Sequence, residues 1–167
     1  AGGRFVAAIR ILEKLVLGLD SSVSERIVKD NLRGVACHNI GLLYMWHKEY
    51  QQALESFTKA EEARPQCSSV TPRDVGVTQV RMGQALFALG RCDEALSCFH
   101  AALATTEEDQ VVRAKILNNI GVAYYHLGDL STAVKSFTEA LTIQRKRLDG
   151  PVRREALVYD AAVSLSN

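Results

Sequence analysis

One spacing pattern recurs along this chain and constrains its fold more than any other feature. An aromatic residue stands three residues after Gly121, and Gly128 stands seven residues after it. An alanine, a phenylalanine and a second alanine follow twelve, sixteen and nineteen residues after Gly121. These spacings are helical on both sides of Gly128. Small residues allow two helix backbones to approach closely, and Phe137 fills the space beside them, because protein interiors tolerate few voids. The pattern therefore predicts a hairpin of two helices.

The same pattern starts again at Gly83 and at Gly41, with two departures. Leu86 replaces the aromatic residue of one unit, and Lys48 replaces the turn glycine of another. The two ends of the chain fit half units. We therefore predict a single domain over 1–167, made of a partial repeat at 3–20 (a second helix), repeats at 22–64, 72–104 and 107–148, and a partial repeat at 151–167 (a first helix).

On these residues the chain resembles tetratricopeptide repeat (TPR) proteins, and its long units are similar to those of kinesin light chains and related peptide-binding scaffolds. The resemblance implies an all-α solenoid, a right-handed superhelix of antiparallel helix hairpins. First helices then line a concave groove. It also implies a non-catalytic protein–protein interaction module. The chain shows no pairing of a nucleophile with a base, which likewise argues against an enzyme.

Three sites carry the signals of a helix start. Ser22 with Glu25 forms a capping-box pattern. At residues 71–74, a threonine cap precedes a proline in the first turn and an acid near the helix start. Thr106 with Asp109 gives the third signal. These signals predict helices that begin near residues 22, 72 and 107.

Charge and composition exclude several classes of partner. The net charge of +1 gives no general attraction to nucleic acid or to anionic membranes. No apolar run reaches the roughly 18 residues that a spanning helix needs, so membrane insertion is not expected. The first residues also lack the layout of a signal peptide.

The cysteines and histidines do not form a reactive or metal-binding pattern. The four cysteines show no close pair with histidines at ligand spacing, so neither zinc nor another cofactor is expected. Cys37 falls on a buried-type position. Free thiols indicate a reducing, intracellular compartment, which we take to be the cytoplasm. The histidines are interpreted as solvated or groove-lining, and no catalytic residue is predicted.

Successive residues of a helix are rotated by about 100° around its axis. The residues predicted to face the groove are those on the side of each first helix that lies opposite its core side. A polar row holds asparagines, which can bond a peptide backbone as donor and acceptor. A largely apolar row beside it can receive hydrophobic anchors. Together they predict binding of an extended peptide of a partner protein. The candidate groove residues are His38, Asn39, Leu42, Met45, Trp46, Arg81, Gln84, Phe87, Lys115, Asn118, Asn119, Val122, Tyr125, His126, Tyr159 and Asp160.

Other interpretations of the same residues stay open. The aromatic residues could pack against a neighbouring helix, and the asparagines could satisfy nearby backbone groups. The chain could instead be a scaffold subunit, with contacts through its ends and convex face to further repeats or another subunit. The chaperone-tail clamp of TPR co-chaperones is not supported, since only Lys115 is of the required type.

A basic cluster near the C-terminus gives one further alternative. It could bind an acidic segment or nucleic-acid phosphates. Cations also favour a helix C-terminus, which is the preferred interpretation. The cluster consists of Arg145, Lys146, Arg147, Arg153 and Arg154.

Overall fold

The computed structural model describes residues 2–22, 26–63, 71–106 and 109–148. Within these ranges the chain is helical and contains no β-strand. The helices are α1 (Gly2–Ser22), α2 (Arg26–Trp46), α3 (Tyr50–Ala63), α4 (Pro72–Ala88), α5 (Cys92–Thr105), α6 (Gln110–His126) and α7 (Leu130–Leu148). Short turns join α2 to α3, α4 to α5 and α6 to α7, and the helices of each pair pack together. The predicted all-α class of antiparallel hairpins is confirmed.

Contacts divide the chain into two compact units, Ala1–Glu107 and Glu108–Asn167. The first unit contains α1 and the two hairpins α2–α3 and α4–α5. Within it, α1 packs on α2, and α3 packs on α4. The second unit contains the hairpin α6–α7. The organisation as one domain over 1–167 stays a prediction.

The interior of the first unit forms where α2, α3 and α4 meet. Ala53, Phe57 and Ala85 are fully buried there, because small side chains on one helix leave room for a ring from another. Half-buried apolar side chains close around them, namely Leu42, Tyr44, Met45, Leu54 and Met82. This interior fixes the position of α4 beside α2, and so positions the candidate groove face of this unit.

The turn of each hairpin uses a residue in the left-handed conformation. Gly90 and Gly128 have φ of 78° and 84°. Lys48 occupies the same place in the first hairpin and has φ of 62°. The lysine therefore reproduces the glycine turn, at a steric cost of about 1–2 kcal/mol.

The helix starts agree with the sequence at one site and differ at another. Thr71 and Asp74 form a capping box, in which the Asp74 amide donates to Thr71 Oγ1 at 3.2 Å and the Thr71 amide donates to Asp74 Oδ2 at 3.0 Å. The start predicted at Thr106 is wrong. Thr106 is buried and donates its hydroxyl to the Ala102 carbonyl at 2.8 Å, which completes the end of α5. Asp109 caps α6 instead, since its Oδ1 accepts from Val111 and Val112, each at 3.1 Å.

Two predicted features lie wholly or partly outside the described residues. The helix α1 continues through Ser22, where the sequence predicted the start of a new helix, and the capping partner Glu25 is not among the residues described. The segment predicted as a last first helix, 151–167, also lies outside them. No helix in the described ranges has the length and apolar character needed to cross a bilayer.

Candidate functional site

The first unit brings eight of the predicted groove residues onto neighbouring helices. Helix α2 carries five of them and α4 carries three. Asn39, Trp46 and Arg81 are exposed to solvent. The other five are half-buried: His38, Leu42, Met45, Gln84 and Phe87. The face is therefore partly open surface and partly an extension of the interior.

A hydrogen bond joins α2 to α4 across this face. Nδ1 of His38 lies 3.1 Å from Oγ1 of Thr78. The Thr78 hydroxyl also lies within hydrogen-bond distance, 3.1 Å, of the Asp74 carbonyl, so this side chain links α2 to the first turn of α4. The His38 ring also packs at 5.4 Å from the ring of Phe57. His38 thus holds the two helices together and presents only part of its ring to a ligand.

Arg81 supplies the positive charge of this face. Its Nη1 donates to Oε1 of Gln84 at 3.0 Å, which holds the guanidinium along the surface of α4. It forms no salt bridge with any residue that the structure describes. The remaining guanidinium donors can therefore reach a carboxylate or a carbonyl of a ligand.

The apolar row of the first unit has one fully open member. Trp46 is 85% exposed at the end of α2. Met45 and Leu42 pack against the buried cluster of Ala53, Phe57 and Ala85, so they belong in part to the interior. An indole with this exposure has most of its apolar area left to bury on binding.

The amide of Asn39 is available for binding. Asn39 is exposed on α2, and its side chain makes no hydrogen bond within the described part of the chain. The interpretation that this asparagine satisfies a neighbouring backbone group therefore has no support in the structure. An amide in this state can pair with a peptide unit as both donor and acceptor.

The second unit presents the remaining described candidates on α6. Tyr125 is 61% exposed, and Asn119 is half-buried. The Tyr125 ring meets the His126 ring edge-on at 6.0 Å. The other exposed members of this face are Lys115, Asn118, Val122 and His126. Tyr159 and Asp160 lie outside the described residues.

No group of three or more histidines, cysteines or acids in the described ranges could hold a metal ion. His47, interpreted as solvated or groove-lining, stacks on Phe5 with ring centroids 3.4 Å apart. Cys37 is a buried free thiol, as its position predicted, and Cys92 and Cys98 are partly buried free thiols.

A cleft beside α2 was not predicted from the sequence. Helices α1 and α3 flank a space of about 430 Å³ lined by Val16, Asp30, Arg33, Cys37, Lys59, Glu62 and Ala63. Burial raises the pKa of the Cys37 thiol, and the charges of Lys59 and Arg33 partly oppose that shift. In the next repeat Gln79 takes the place of Cys37 and donates to Glu61 at 3.2 Å. The cysteine side chain is shorter than the glutamine at the same place in the next repeat, and this difference is the feature of the sequence that could have indicated the space.

Two models of known protein families match the part of the chain that forms the hairpins described above. The model of the tetratricopeptide repeat family matches residues 74–146, and a second model of the same repeat matches residues 35–67. A search of curated proteins finds no significant match to this chain.

Solved structures share the fold. The TPR domain of Arabidopsis FLU is 18% identical with a TM-score of 0.63, over 70% of this chain and 98% of that one. A putative kinesin light chain structure with TPR-like repeats from Podospora anserina is 20% identical with a TM-score of 0.70, over 91% and 73%. The first TPR of Spaghetti, bound to an HSP90 peptide, is 18% identical with a TM-score of 0.57, over 82% and 96%.

Proposed function

Because the chain belongs to the tetratricopeptide repeat family, whose repeats indicate a protein–protein interaction module, we propose that it binds an extended peptide of a partner protein. The peptide lies on the face of the first unit that α2 and α4 form. The proposal is carried by Trp46, whose ring is 85% exposed on the same face as Asn39 and Arg81. The module is non-catalytic, as is general in this family.

Each group of the face has a separate task in this proposal. The Trp46 ring takes a hydrophobic side chain of the peptide, since aromatic residues dominate the energy of many interfaces. Asn39 pairs with a peptide unit of the backbone. Arg81, held by Gln84, donates hydrogen bonds to a carboxylate or carbonyl group of the peptide. Met45 and Leu42 give this surface a rigid base, because they also pack on the buried cluster.

The second unit offers the same kinds of groups on α6. Tyr125 is exposed and can make an apolar contact with the peptide, and Asn118 and Asn119 supply side-chain amides. Their side chains make no hydrogen bond within the described residues. We propose that this face also binds extended peptide, with Tyr125 as its anchor.

The test selects 12-residue peptides from a random display library on the unmodified protein. A selected peptide is then titrated while the emission of Trp46, the single tryptophan, is followed. Trp46→Ala is expected to weaken binding by about tenfold or more, as loss of a buried aromatic anchor does. That variant is titrated by fluorescence anisotropy of a labelled peptide.

The matched control is Leu17→Ala. Leu17 is 69% exposed in the same unit but lies on α1, away from the proposed face. Its replacement is expected to leave peptide affinity unchanged. Equal affinity of the unmodified protein, Trp46→Ala and the folded double variant Asn39→Ala/Asn119→Ala would contradict the proposal.

A scaffold role is the second candidate. Exposed apolar side chains on α1, namely Val6, Ile11, Leu15 and Leu17, favour contacts through that helix. In this case Ile11→Asp would abolish capture of a partner that Trp46→Ala still captures. If Trp46→Ala abolishes capture and Ile11→Asp does not, the result supports peptide binding on the face of α2 and α4.

A further inference from the structure

The cleft beside α2 continues along that helix toward Tyr44. A second space of about 360 Å³ shares Val16, Cys37 and Lys59 with the space of about 430 Å³ described above, so the two adjoin. Together they are named the α1–α3 cleft, because α1 and α3 both pack on α2 and form its two walls. At 1.5 Å per residue, its floor is about 20 Å long. The floor is one face of α2, with residues at spacings of three and four, namely Asp30, Arg33, Cys37, Ile40 and Tyr44.

The middle of the cleft is apolar, and it differs there from the next repeat. Val16 and Cys37 line both spaces. The repeated alanines of α1 and α3 give an offset of 45 residues (53 − 8 = 45), which relates Val16 to Glu61. Cys37 corresponds to Gln79, which donates to Glu61 at 3.2 Å and bridges α3 and α4. Both members of this polar pair are therefore replaced in the first repeat, and the place that they fill in the next repeat stays open.

The end of the cleft at Tyr44 is acidic. Glu13 of α1 and Glu55 of α3 line it from its two walls. Burial raises the pKa of Tyr44, and the carboxylates of Glu13, Glu49 and Glu55 raise it further, because their charge opposes ionisation of the phenol. Neither Glu13 nor Glu55 forms a salt bridge within the described part of the chain. This end can therefore receive a positive charge, which the Tyr44 ring can also contact through its face.

The charge of the whole cleft favours the same kind of occupant. Four acidic side chains line it against two basic ones. The basic ones, Arg33 and Lys59, lie at the Cys37 end together with Asp30 and Glu62. Charges of both signs thus balance at that end, and the excess of negative charge lies at the Tyr44 end. Charge complementarity therefore favours a basic segment and disfavours an acidic peptide or a phosphate group.

We propose that the α1–α3 cleft is a second binding surface, which holds a basic segment of a partner protein. An apolar side chain of that segment lies against Val16 and Cys37. A neighbouring lysine or arginine lies between Glu13 and Glu55. The floor accommodates about six residues of extended chain, at about 3.3 Å each. This proposal does not depend on the peptide binding proposed above, because the cleft shares no residue with the face of α2 and α4.

The test uses a variant that closes the cleft with a pair of side chains that this fold already contains. Val16→Glu/Cys37→Gln rebuilds the pair Glu61–Gln79 of the next repeat. A random library of 12-residue peptides is selected on the unmodified chain, with removal of peptides that bind the closed variant. The remaining peptides are titrated by fluorescence anisotropy. We expect an apolar residue next to lysine or arginine, affinity unchanged in Trp46→Ala, and affinity about tenfold or more lower in the closed variant.

A second variant reverses the charge of the acidic end. Glu13→Lys/Glu55→Lys changes two exposed residues, so the fold should tolerate it. We expect it to weaken the same peptides by about tenfold or more at low salt, with a smaller loss at high salt. Asp93→Lys/Glu94→Lys is the matched control, since it changes the net charge equally at exposed acids of α5 outside the cleft. It should leave the affinity close to that of the unmodified chain.

Four outcomes would overturn the proposal. The first is a selection that returns no peptide dependent on the open cleft, and the second is a set of cleft-dependent peptides without an excess of lysine and arginine. The third is an equal loss in the charge-reversed variant and its control. The fourth is a dimer in sedimentation velocity that the closed variant abolishes, which would assign the cleft to a second copy. If circular dichroism shows that the closed variant is unfolded, peptides selected on the unmodified chain and still bound by Trp46→Ala are compared in the charge-reversed variant and its control, and that comparison decides.

Discussion

The ring of Phe57 occupies the space into which a side chain at Gly41 would project. A Cβ atom built on Gly41 would lie 2.5 Å from Cε1 of that ring. Phe99 and Phe137 stand in the same relation to Gly83 and Gly121. Each pair is sixteen residues apart, as the repeated spacing requires. The glycine sets how closely the two helices of a hairpin approach.

The substitution Gly41→Ala is therefore expected to destabilise the chain by about 1–3 kcal/mol, because the added methyl group overpacks the interior. Gly18→Ala is the control, since a Cβ there meets nothing within 4 Å. In a helix this change is expected to be neutral or to stabilise by up to about 1 kcal/mol. Urea unfolding followed by circular dichroism measures both. An equal effect of the two substitutions contradicts the packing role of Gly41.

The substitution Thr78→Val removes the hydroxyl that forms the hydrogen bond with His38 Nδ1 between α2 and α4. Thr78 is 1% exposed, so water cannot replace the lost group, and we expect a loss of about 1–3 kcal/mol. Thr58→Val is the matched control. Its hydroxyl donates only to the Leu54 carbonyl of its own helix, at 3.0 Å. We expect a change of about 0.5 kcal/mol or less there. Equal losses would show that the bond between α2 and α4 contributes nothing.

Asp129 should make the hairpin α6–α7 sensitive to acid. The Thr132 hydroxyl and amide donate to the Asp129 carboxylate at 2.6 Å and 3.0 Å, and these bonds lower its pKa from 3.8. A lowered folded-state pKa gives stability that is complete above the unfolded value and is lost as the pH falls through the folded value. The Tm advantage over Asp129→Asn should therefore shrink between about pH 5 and pH 2.

The control for this pH dependence is Thr132→Val, which removes the hydroxyl that contributes most to the shift. In a chain that carries Thr132→Val, the effect of Asp129→Asn on Tm is expected to depend less on pH. Circular dichroism melts at several pH values give both comparisons. A Tm difference that stays constant with pH would contradict the role of the Asp129 carboxylate.

The thiols of Cys37 and Cys98 should react slowly with iodoacetamide. Burial raises the pKa of both, and the carboxylates of Glu61 and Glu94 raise that of Cys98 further. Since the thiolate is the nucleophile, alkylation near neutral pH should be slower in the folded chain than in the unfolded chain. Peptide mass spectrometry with and without guanidinium measures the ratio. A folded-state rate equal to the unfolded rate at Cys37 would contradict this.

The sequence was sufficient for the hairpins because their packing is determined by short spacings. The distance from Gly121 to Phe137 along the chain already specifies which helix faces meet. It was insufficient at Thr106, where the hydroxyl satisfies the end of α5 and leaves the start of α6 to Asp109. Both residues suit a cap, and the three-dimensional position of α5 decides between them.

The candidate site was predicted less completely than the fold. Helical geometry predicted that Trp46, Asn39 and Arg81 are exposed, and all three are. It did not predict how deeply Leu42 and Met45 are buried, because their burial depends on how closely α4 packs beside α2. The bond from His38 to Thr78 was also unpredictable, since it joins residues forty positions apart on different hairpins.

The glycine–phenylalanine contacts also bear on how the chain folds. Each is completed within one hairpin, so a hairpin can gain interior contacts before its neighbour exists. Chains dominated by such local contacts have low contact order and fold rapidly, and repeat arrays can nucleate at any unit. During synthesis, each hairpin can therefore acquire structure as soon as its second helix leaves the ribosome.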